Sequence, residues 1–349
     1  MKCTIQNIAD HLGLSRNTVS KALKNSSEVS ENTRNLVIKT ASKLGYKNAT
    51  FATPVIPASE TGSNGTILFL TRTYASDSEF WTTVLRGIES ILSNANYHLA
   101  ISIMSDSDLK QLNFPQTISD SSIKGIILVE ICDKVVCDAL SQFNLPIVSV
   151  DMPNVPFEEL NGIDVVTMES KKNLKKIINQ LIEKGAESFG FVGDLYSPNV
   201  SRGFQERYNA LSECLAEHQL PLNLKNCLLH QTPEDFRNFQ TTVNNLQAMI
   251  SLPDVFICGN DWTAIQLIYA LQFLGFQIPK DICVVGFDNI PAASRISPSL
   301  TTISTPQKYL GIAAARQILE RIQHPNCPHV FCQYETELII RNSTNIISF

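Results

Sequence analysis

The sequence contains no apolar run near the roughly 18 residues that a bilayer-spanning helix needs, which excludes a helical membrane anchor. It also lacks an N-terminal basic stretch followed by an apolar core and a small-residue cleavage site, so a cytoplasmic protein is expected. Its cysteines are odd in number, nine, and scattered through apolar segments, which argues for reduced thiols rather than a disulfide framework. Missing too are G-x-G-x-x-G, G-x-x-x-x-G-K-[ST], G-x-S-x-G and H-E-x-x-H, the common phosphate, nucleophile and zinc signatures. No internal repeat is evident. No cofactor is expected.

What is present is an ordinary globular composition, 44% hydrophobic over 349 residues, enough to bury cores in two or three domains. The net charge of −5 hides an asymmetry. Residues 1–50 carry eight Lys and Arg against three acids, a net of +5, while the remainder carries twenty against thirty, a net of −10. A small basic head on an acidic body is the electrostatic footprint of a nucleic-acid-binding module, although a charge run is more often a solvated face.

The head reads as three short helices. Thr4 is an N-cap; Ile5, Ile8, Ala9 and Leu12 share a face; Gly13 permits a tight turn and Leu14 packs inward. Ser15 caps a second helix whose buried stripe is Val19, Ala22 and Leu23, leaving Arg16, Asn17, Ser20 and Lys21 outward. Ser30 caps a third, with Leu36, Val37, Ala41 and Leu44 as its apolar face and Gly45 at its end. A basic, outward-facing second helix is the helix-turn-helix pattern, in which that helix lies in the DNA major groove.

The wording of this segment is more specific than its spacing. Through T-I-x-x-I-A, G-L-S-x-x-T-V-S-K-A-L, V-S-x-x-T-R and L-G-Y it resembles the headpiece of the lactose/galactose-repressor (LacI/GalR) family of bacterial transcription regulators. The resemblance implies DNA contacts from Thr4, Ser15, Arg16, Asn17, Thr18, Ser20, Lys21, Lys24, Arg34 and Tyr46. After Tyr46 the chain departs from the family. Lys47, Asn48 and Ala49 stand where Pro-Asn is usual, and Pro54 and Val55 fall where a minor-groove hinge helix should end. Proline inside a helix costs about 3 kcal/mol or more, so residues 48–64 are expected to be a linker without that helix.

From Thr66 onward, apolar runs such as TILFLTR, HLAISIM, GIILVEI, PIVSVD, FGFVGD, DVFICGN and ICVVGFD alternate with helical stretches at 80–92, 173–182 and 262–274. This predicts an α/β body with parallel sheets flanked by helices, and roughly 285 residues exceed one typical core, so two lobes are expected. The family resemblance continues through EFWTTVLRGIES, NLKKIINQLIEKG, FICGNDWTAIQLIYALQFLGFQIPKDICVVGFDNIP and SLTTISTP. It implies a two-lobed periplasmic-binding-protein-like body crossed three times, near 161–165, 289–305 and 323–329. The expected organisation is a headpiece at 1–47, a linker at 48–64 and a body at 65–349. Its first lobe covers about 65–163 and 305–325, and its second about 164–290 and 328–349.

Such sheets bind ligands at the carboxyl ends of their strands, so polar residues just after the apolar runs are the candidates. These are Asp151, Asn260, Asp261 and Asp288. Asx turns and helix caps account for such residues equally well, and the N-cap reading is preferred for Asp261. The resemblance implies effector contacts from Asp288 and from the helix residue Arg207, and an aromatic, Trp81, facing the cleft on the apolar face of a sugar ring. The effector candidates are therefore Trp81, Asp151, Arg207, Asn260 and Asp288.

The run HPNCPHVFC places His324, Cys327, His329 and Cys332, all zinc-ligand types, within nine residues. Two prolines break any helix there, and strand alternation puts 329 and 331 rather than 329 and 332 on one face, so no metal site is expected. The reading is a non-enzymatic regulator with a palindromic DNA operator, a small sugar-like effector and a second copy of itself as partners, and no membrane. Two alternatives fit the residues: an unrecognised βα enzyme, and a sugar sensor whose head no longer binds DNA.

Overall fold

The computed structural model describes residues 4–23, 29–30, 33, 36–37, 40–41, 63–72, 78–131, 133–151, 155–195, 202–230 and 238–344. The chain divides into two compact units, Met1–Gly62 and Ser63–Phe349. No described helix is long and apolar enough to cross a membrane.

In the first unit, α1 (Ile5–Leu12) begins with a reciprocal cap. Thr4 Oγ1 accepts the Asn7 amide at 3.3 Å, and Asn7 Oδ1 accepts the Thr4 amide at 2.9 Å. It ends at Gly13, φ 64°, a left-handed conformation that costs glycine no Cβ clash. The next helix, α2 (Arg16–Leu23), starts from Ser15, whose Oγ accepts the Thr18 amide at 3.0 Å. Ile8, Ala9, Val19, Ala22, Val29, Val37 and Ala41 close a small core. In the third helical segment Ser30 Oγ accepts the Thr33 amide at 3.4 Å, and the buried stripe is Val37, Thr40 and Ala41. Leu36, expected on that stripe, is 50% exposed, because 37, 40 and 41 follow the i, i+3, i+4 line and leave 36 on its flank. Leu44, Gly45 and the linker residues Pro54 and Val55 lie outside the described residues.

The body holds two six-stranded sheets. The first contains β1 (Gly65–Arg72), β2 (Tyr97–Met104), β3 (Ile123–Val129), β4 (Ile147–Val150), β5 (Ile163–Met168) and, far along the chain, β11 (Phe331–Tyr334). Its order is β2-β1-β3-β4-β5-β11, all parallel. The second sheet runs from β6 (Phe189–Asp194) through β7 (Leu228–His230), β8 (Val255–Cys258), β9 (Cys283–Asp288) and β10 (Thr301–Ser304) to β12 (Glu337–Ile339). Its order is β7-β6-β8-β9-β10-β12, parallel except for the antiparallel β10–β12 pair. Both sheets therefore reverse direction after their first strand, which opens a crevice at the carboxyl ends of β1 and β3 and of β6 and β8.

Helices cover both sheets. They are α3 (Glu79–Asn94), α4 (Asp106–Gln111), α5 (Lys134–Ser141), α6 (Lys172–Glu183), α7 (Arg202–Glu217), α8 (Phe239–Ala248), α9 (Asp261–Phe273) and α10 (Gln307–Gln323). The tightest pair is α3 with α10, which meet through Gly87 and Gly311. A Cβ on Gly87 would strike the Lys308 carbonyl, and one on Gly311 the Val84 carbonyl.

Strand pairing moves the expected lobe boundaries. β5 pairs with β4 and β11, so residues 163–168 and 331–334 belong to the first lobe, not the second. The crossings fall after β5, between β10 and α10, and between β11 and β12, rather than at 161–165 and 323–329. The physical reason is Asp164. Its polar side chain interrupts the apolar pattern of β5, yet it is fully buried because Arg321 Nε and Nη2 donate to it at 3.0 and 2.8 Å, and the Val330 amide at 2.8 Å.

Candidate functional site

The head presents one polar face. Thr4, Ser15, Arg16 and Asn17 are exposed, and Thr18, Ser20 and Lys21 are half-buried on α2. The face exists because Val19 and Ala22 consume the opposite side of the helix in the core. Arg16 and Asn17 occupy the first turn, the end of a recognition helix that meets base edges. Lys24, Arg34 and Tyr46, also candidates here, lie outside the described residues.

In the body, several ionisable side chains meet at the crevice. Asp151 follows β4 with φ 69°, and Asp288 closes β9 with φ 114°; both are buried. Glu130, directly after β3, has φ 54°. Positive φ is costly for residues with a Cβ, on the order of 1–3 kcal/mol each, and such strain collects at functional positions. Arg207 reaches in from α7, 3% exposed, with its guanidinium 3.7 Å from the centre of the Phe287 ring and Nη1 donating to the Gly259 carbonyl at 2.6 Å. Its Nε is buried without a hydrogen-bond partner. The Asp288 backbone is held in place by Gln307 Nε2, which donates to its carbonyl at 2.6 Å, and by Thr305 Oγ1 at 3.2 Å.

These groups act on one another's protonation. Burial pushes the Asp288 carboxyl well above the usual carboxylate range, Arg207 opposes that, and Asp261, Asp151 and Glu130 add to it. Burial also lowers the Arg207 pKa, against the pull of Asp288 and Asp151. Glu130 is pushed up to about 7, chiefly by burial, with the Trp81 hydrogen bond and Arg72 working the other way and Asp151 and Asp194 reinforcing it. The couplings run between lobes, since Glu130 and Asp151 follow strands of the first sheet, while Asp194 and Asp288 end strands of the second and Arg207 lies on α7 beside it. The arrangement is a desolvated, acid-rich gap with two buried guanidiniums, Arg207 and Arg72. It can hold several polar groups of a small molecule at once.

Of the residues expected in this site, Asp151, Arg207 and Asp288 come together. Trp81 does so indirectly: it is 7% exposed, stacks edge-on with Phe80, and donates its indole N–H to Glu130 Oε1 at 2.6 Å. It positions an acid instead of offering an open ring face. Asn260 is the N-cap of α9, with Oδ1 accepting the Thr263 amide at 2.9 Å. The cap had been expected at Asp261, which is instead fully buried, accepting Thr302 Oγ1 at 2.5 Å and the Ile290 amide at 2.9 Å. Burial raises the Asp261 carboxyl to about 7 despite those donors.

Two acids were missed by the sequence reading, Glu130 and Asp194. Both stand at the end of an apolar run, in GIILVE and FGFVGD, and the strand-end rule that selected Asp151 selects them as well. The His324, Cys327, His329 and Cys332 run is put to structural use. His329 Nδ1 lies 3.3 Å from Asp164 and the Cys327 carbonyl accepts from Arg321; among the described residues no group of three or more His, Cys, Asp or Glu is placed to hold a metal ion.

Comparison with known proteins matches both units. Residues 4–48 match the profile of bacterial regulatory proteins of the lacI family, and residues 178–344 match the periplasmic binding protein-like domain. The HTH-type transcriptional repressor PurR of Photobacterium profundum is 26% identical over 345 residues, covering 97% of this chain and 98% of its own. The ribose operon repressor of Haemophilus influenzae is 27% identical over 344 residues, again covering 97% and 98%. Among solved structures, the lac repressor dimer bound to operator and an anti-inducer covers 99% of both chains at a TM-score of 0.66 and 18% identity, which shows the shared fold. With a capped helix-turn-helix head, two doubly wound lobes and full-length relatives of the same build, the chain belongs to the lacI family of bacterial regulatory proteins.

Proposed function

We propose that the protein is a ligand-responsive transcriptional repressor, without enzymatic activity, that binds a palindromic DNA operator as a homodimer in the cytoplasm and senses a small sugar-like effector in the interlobe cleft. One observation carries the reading: the chain that exposes Arg16 and Asn17 on the first turn of α2 also gathers Asp151, Arg207 and Asp288 at the ends of its strands. The relatives support it, since one is named a ribose operon repressor and the lac repressor structure is a dimer on its operator. Dimerisation also follows from the size of the reader. One short helix covers few base pairs, and a two-fold pair reads two half-sites.

In this reading Arg16, Asn17 and Lys21 meet base edges, while Thr4, Ser15, Thr18 and Ser20, with Lys24, Arg34 and Tyr46, hold the backbone. Asp151, Arg207 and Asp288 take the polar groups of the effector, with Trp81 and Asn260 at the margins of the site. The effector regulates only to the extent that it binds one lobe arrangement better than the other. The test is selection of operators by the full-length protein from a library of inverted-repeat duplexes, then competition against random DNA with and without added sugars. Preference for a two-fold sequence, relieved or strengthened by one sugar, is expected. Equal affinity for selected and random duplexes would refute the repressor reading.

A further inference from the structure

The cleft contains more acid than a neutral sugar requires. Glu130 and Asp151 face it from the first lobe and Asp194 and Asp288 from the second, with Arg207 as a buried cation among them. Arg72, at the end of β1, is the next cation, and its Nη2 is bound to Asp106 at 2.7 Å.

Two of these acids hold unspent acceptors. Asp288 is 8% exposed, and both hydrogen bonds at this residue end on its backbone carbonyl, so among the described residues its carboxylate has no donor. Glu130 takes the Trp81 indole N–H on Oε1 at 2.6 Å, while Oε2 is out of contact with solvent and has no hydrogen-bond partner. Buried polar atoms are almost always paired, so Glu130 Oε2 marks where a ligand donates, and the Asp288 carboxylate offers further acceptors on the opposite lobe. A hydroxyl brings one proton to donate and no charge. An ammonium brings three N–H donors and a positive charge to set against four acids that share only Arg207 and Arg72, the latter already paired with Asp106, and a desolvated gap strengthens that attraction.

We propose that the effector is an amine-bearing sugar, its ammonium group held between Glu130 and Asp288, with Arg207 taking an oxygen elsewhere on the ring. Glu130 is then the residue that distinguishes the amino sugar from its neutral parent. Trp81 is a positioning residue that fixes one oxygen of Glu130 and turns the other to the ligand. This inference rests on the cleft being the effector site for a sugar-sized molecule.

The experiment is calorimetric titration of the full-length protein at pH 7 with D-glucosamine, D-galactosamine and D-mannosamine, each against its parent hexose and its N-acetyl derivative, with D-ribose as a further neutral probe. The same panel is run on E130Q, in which the amide oxygen still accepts from Trp81 and only the charge is lost. The expected result is one amino hexose binding at least ten-fold tighter than its parent and its N-acetyl form, a preference that E130Q cuts to under three-fold. A neutral sugar that binds as well as its amine overturns the charge inference and leaves the sugar-effector reading standing. An amine preference unchanged in E130Q overturns the assignment to Glu130. If no sugar in the panel binds, the sugar reading fails and takes this inference with it. The wild-type comparison decides the amine question even if E130Q does not fold.

Discussion

Removing the guanidinium of Arg321 tests how the first lobe is held together. Asp164 sits fully buried in β5 and accepts from Arg321 Nε at 3.0 Å, Arg321 Nη2 at 2.8 Å, Gln317 Nε2 at 3.0 Å and the Val330 amide at 2.8 Å. Arg321 also donates to the carbonyls of Pro325, Cys327 and Pro328, so it pins the segment leading into β11. Truncating one member of a buried pair leaves the other charge uncompensated, at a cost of about 3–5 kcal/mol, a large part of a native stability of about 5–15 kcal/mol. Burial by itself raises the Asp164 pKa, but Arg321, Gln317 and the Val330 amide outweigh it and hold the carboxyl below its ordinary value. A depressed carboxylate pKa stabilises the fold above the unfolded value, about 4, and that contribution is lost as pH falls through the folded pKa. R321M, which keeps the aliphatic length, should therefore lose about 3–5 kcal/mol in urea denaturation at pH 7, with a melting temperature lower by about 10 °C. The gap should narrow as pH falls towards 4, because the stranded carboxylate of the variant sheds its penalty by taking a proton. A variant within about 1 kcal/mol of wild type at pH 7, or a gap that ignores pH, would refute the argument.

Arg16→Ala should weaken operator binding by about 1–3 kcal/mol and random-DNA binding much less, measured by fluorescence anisotropy on both duplexes; equal losses would make Arg16 a phosphate contact. W81F deletes the donor that holds the Glu130 pKa down, so the Glu130 titration, followed by carboxyl NMR, should move above about 7. An unmoved midpoint would break the proposed link between the two. G311V drives a branched side chain into the Val84 carbonyl across the α3–α10 contact and should cost about 1–3 kcal/mol or more in thermal melts, where an unchanged melting temperature would show that the helices can separate freely. N260A removes the α9 cap and should cost about 1 kcal/mol, largely restored by N260D, since aspartate caps as well as asparagine.

The strand-end rule worked unevenly in the cleft, and the reason is instructive. Asp151 and Asp288 stand out because each ends an apolar run, and Glu130 and Asp194 obey the same rule. What no spacing conveys is that Trp81, some fifty positions before Glu130, turns its indole edge onto it, or that Asn260 takes the cap while its neighbour Asp261 is buried under Ile290 and Thr302. Trp81 comes from α3 and Thr302 from β10, so the pairings of Glu130 and Asp261 are set by the completed fold and not by neighbours in sequence.

Sequence alone determined what is local. The Thr4 cap, Gly13, the Val19 and Ala22 stripe and the apolar runs of the parallel strands follow from backbone preferences and periodicity within a dozen residues. The lacI-family wording of the head lies in the same short range. Tertiary structure alone decided that β5 and β11 join the first sheet, because an aspartate inside a strand is tolerable only once a guanidinium reaches it. Arg321 lies 157 positions beyond Asp164, and a buried charge is matched by whatever the completed fold places beside it, not by its neighbours in sequence.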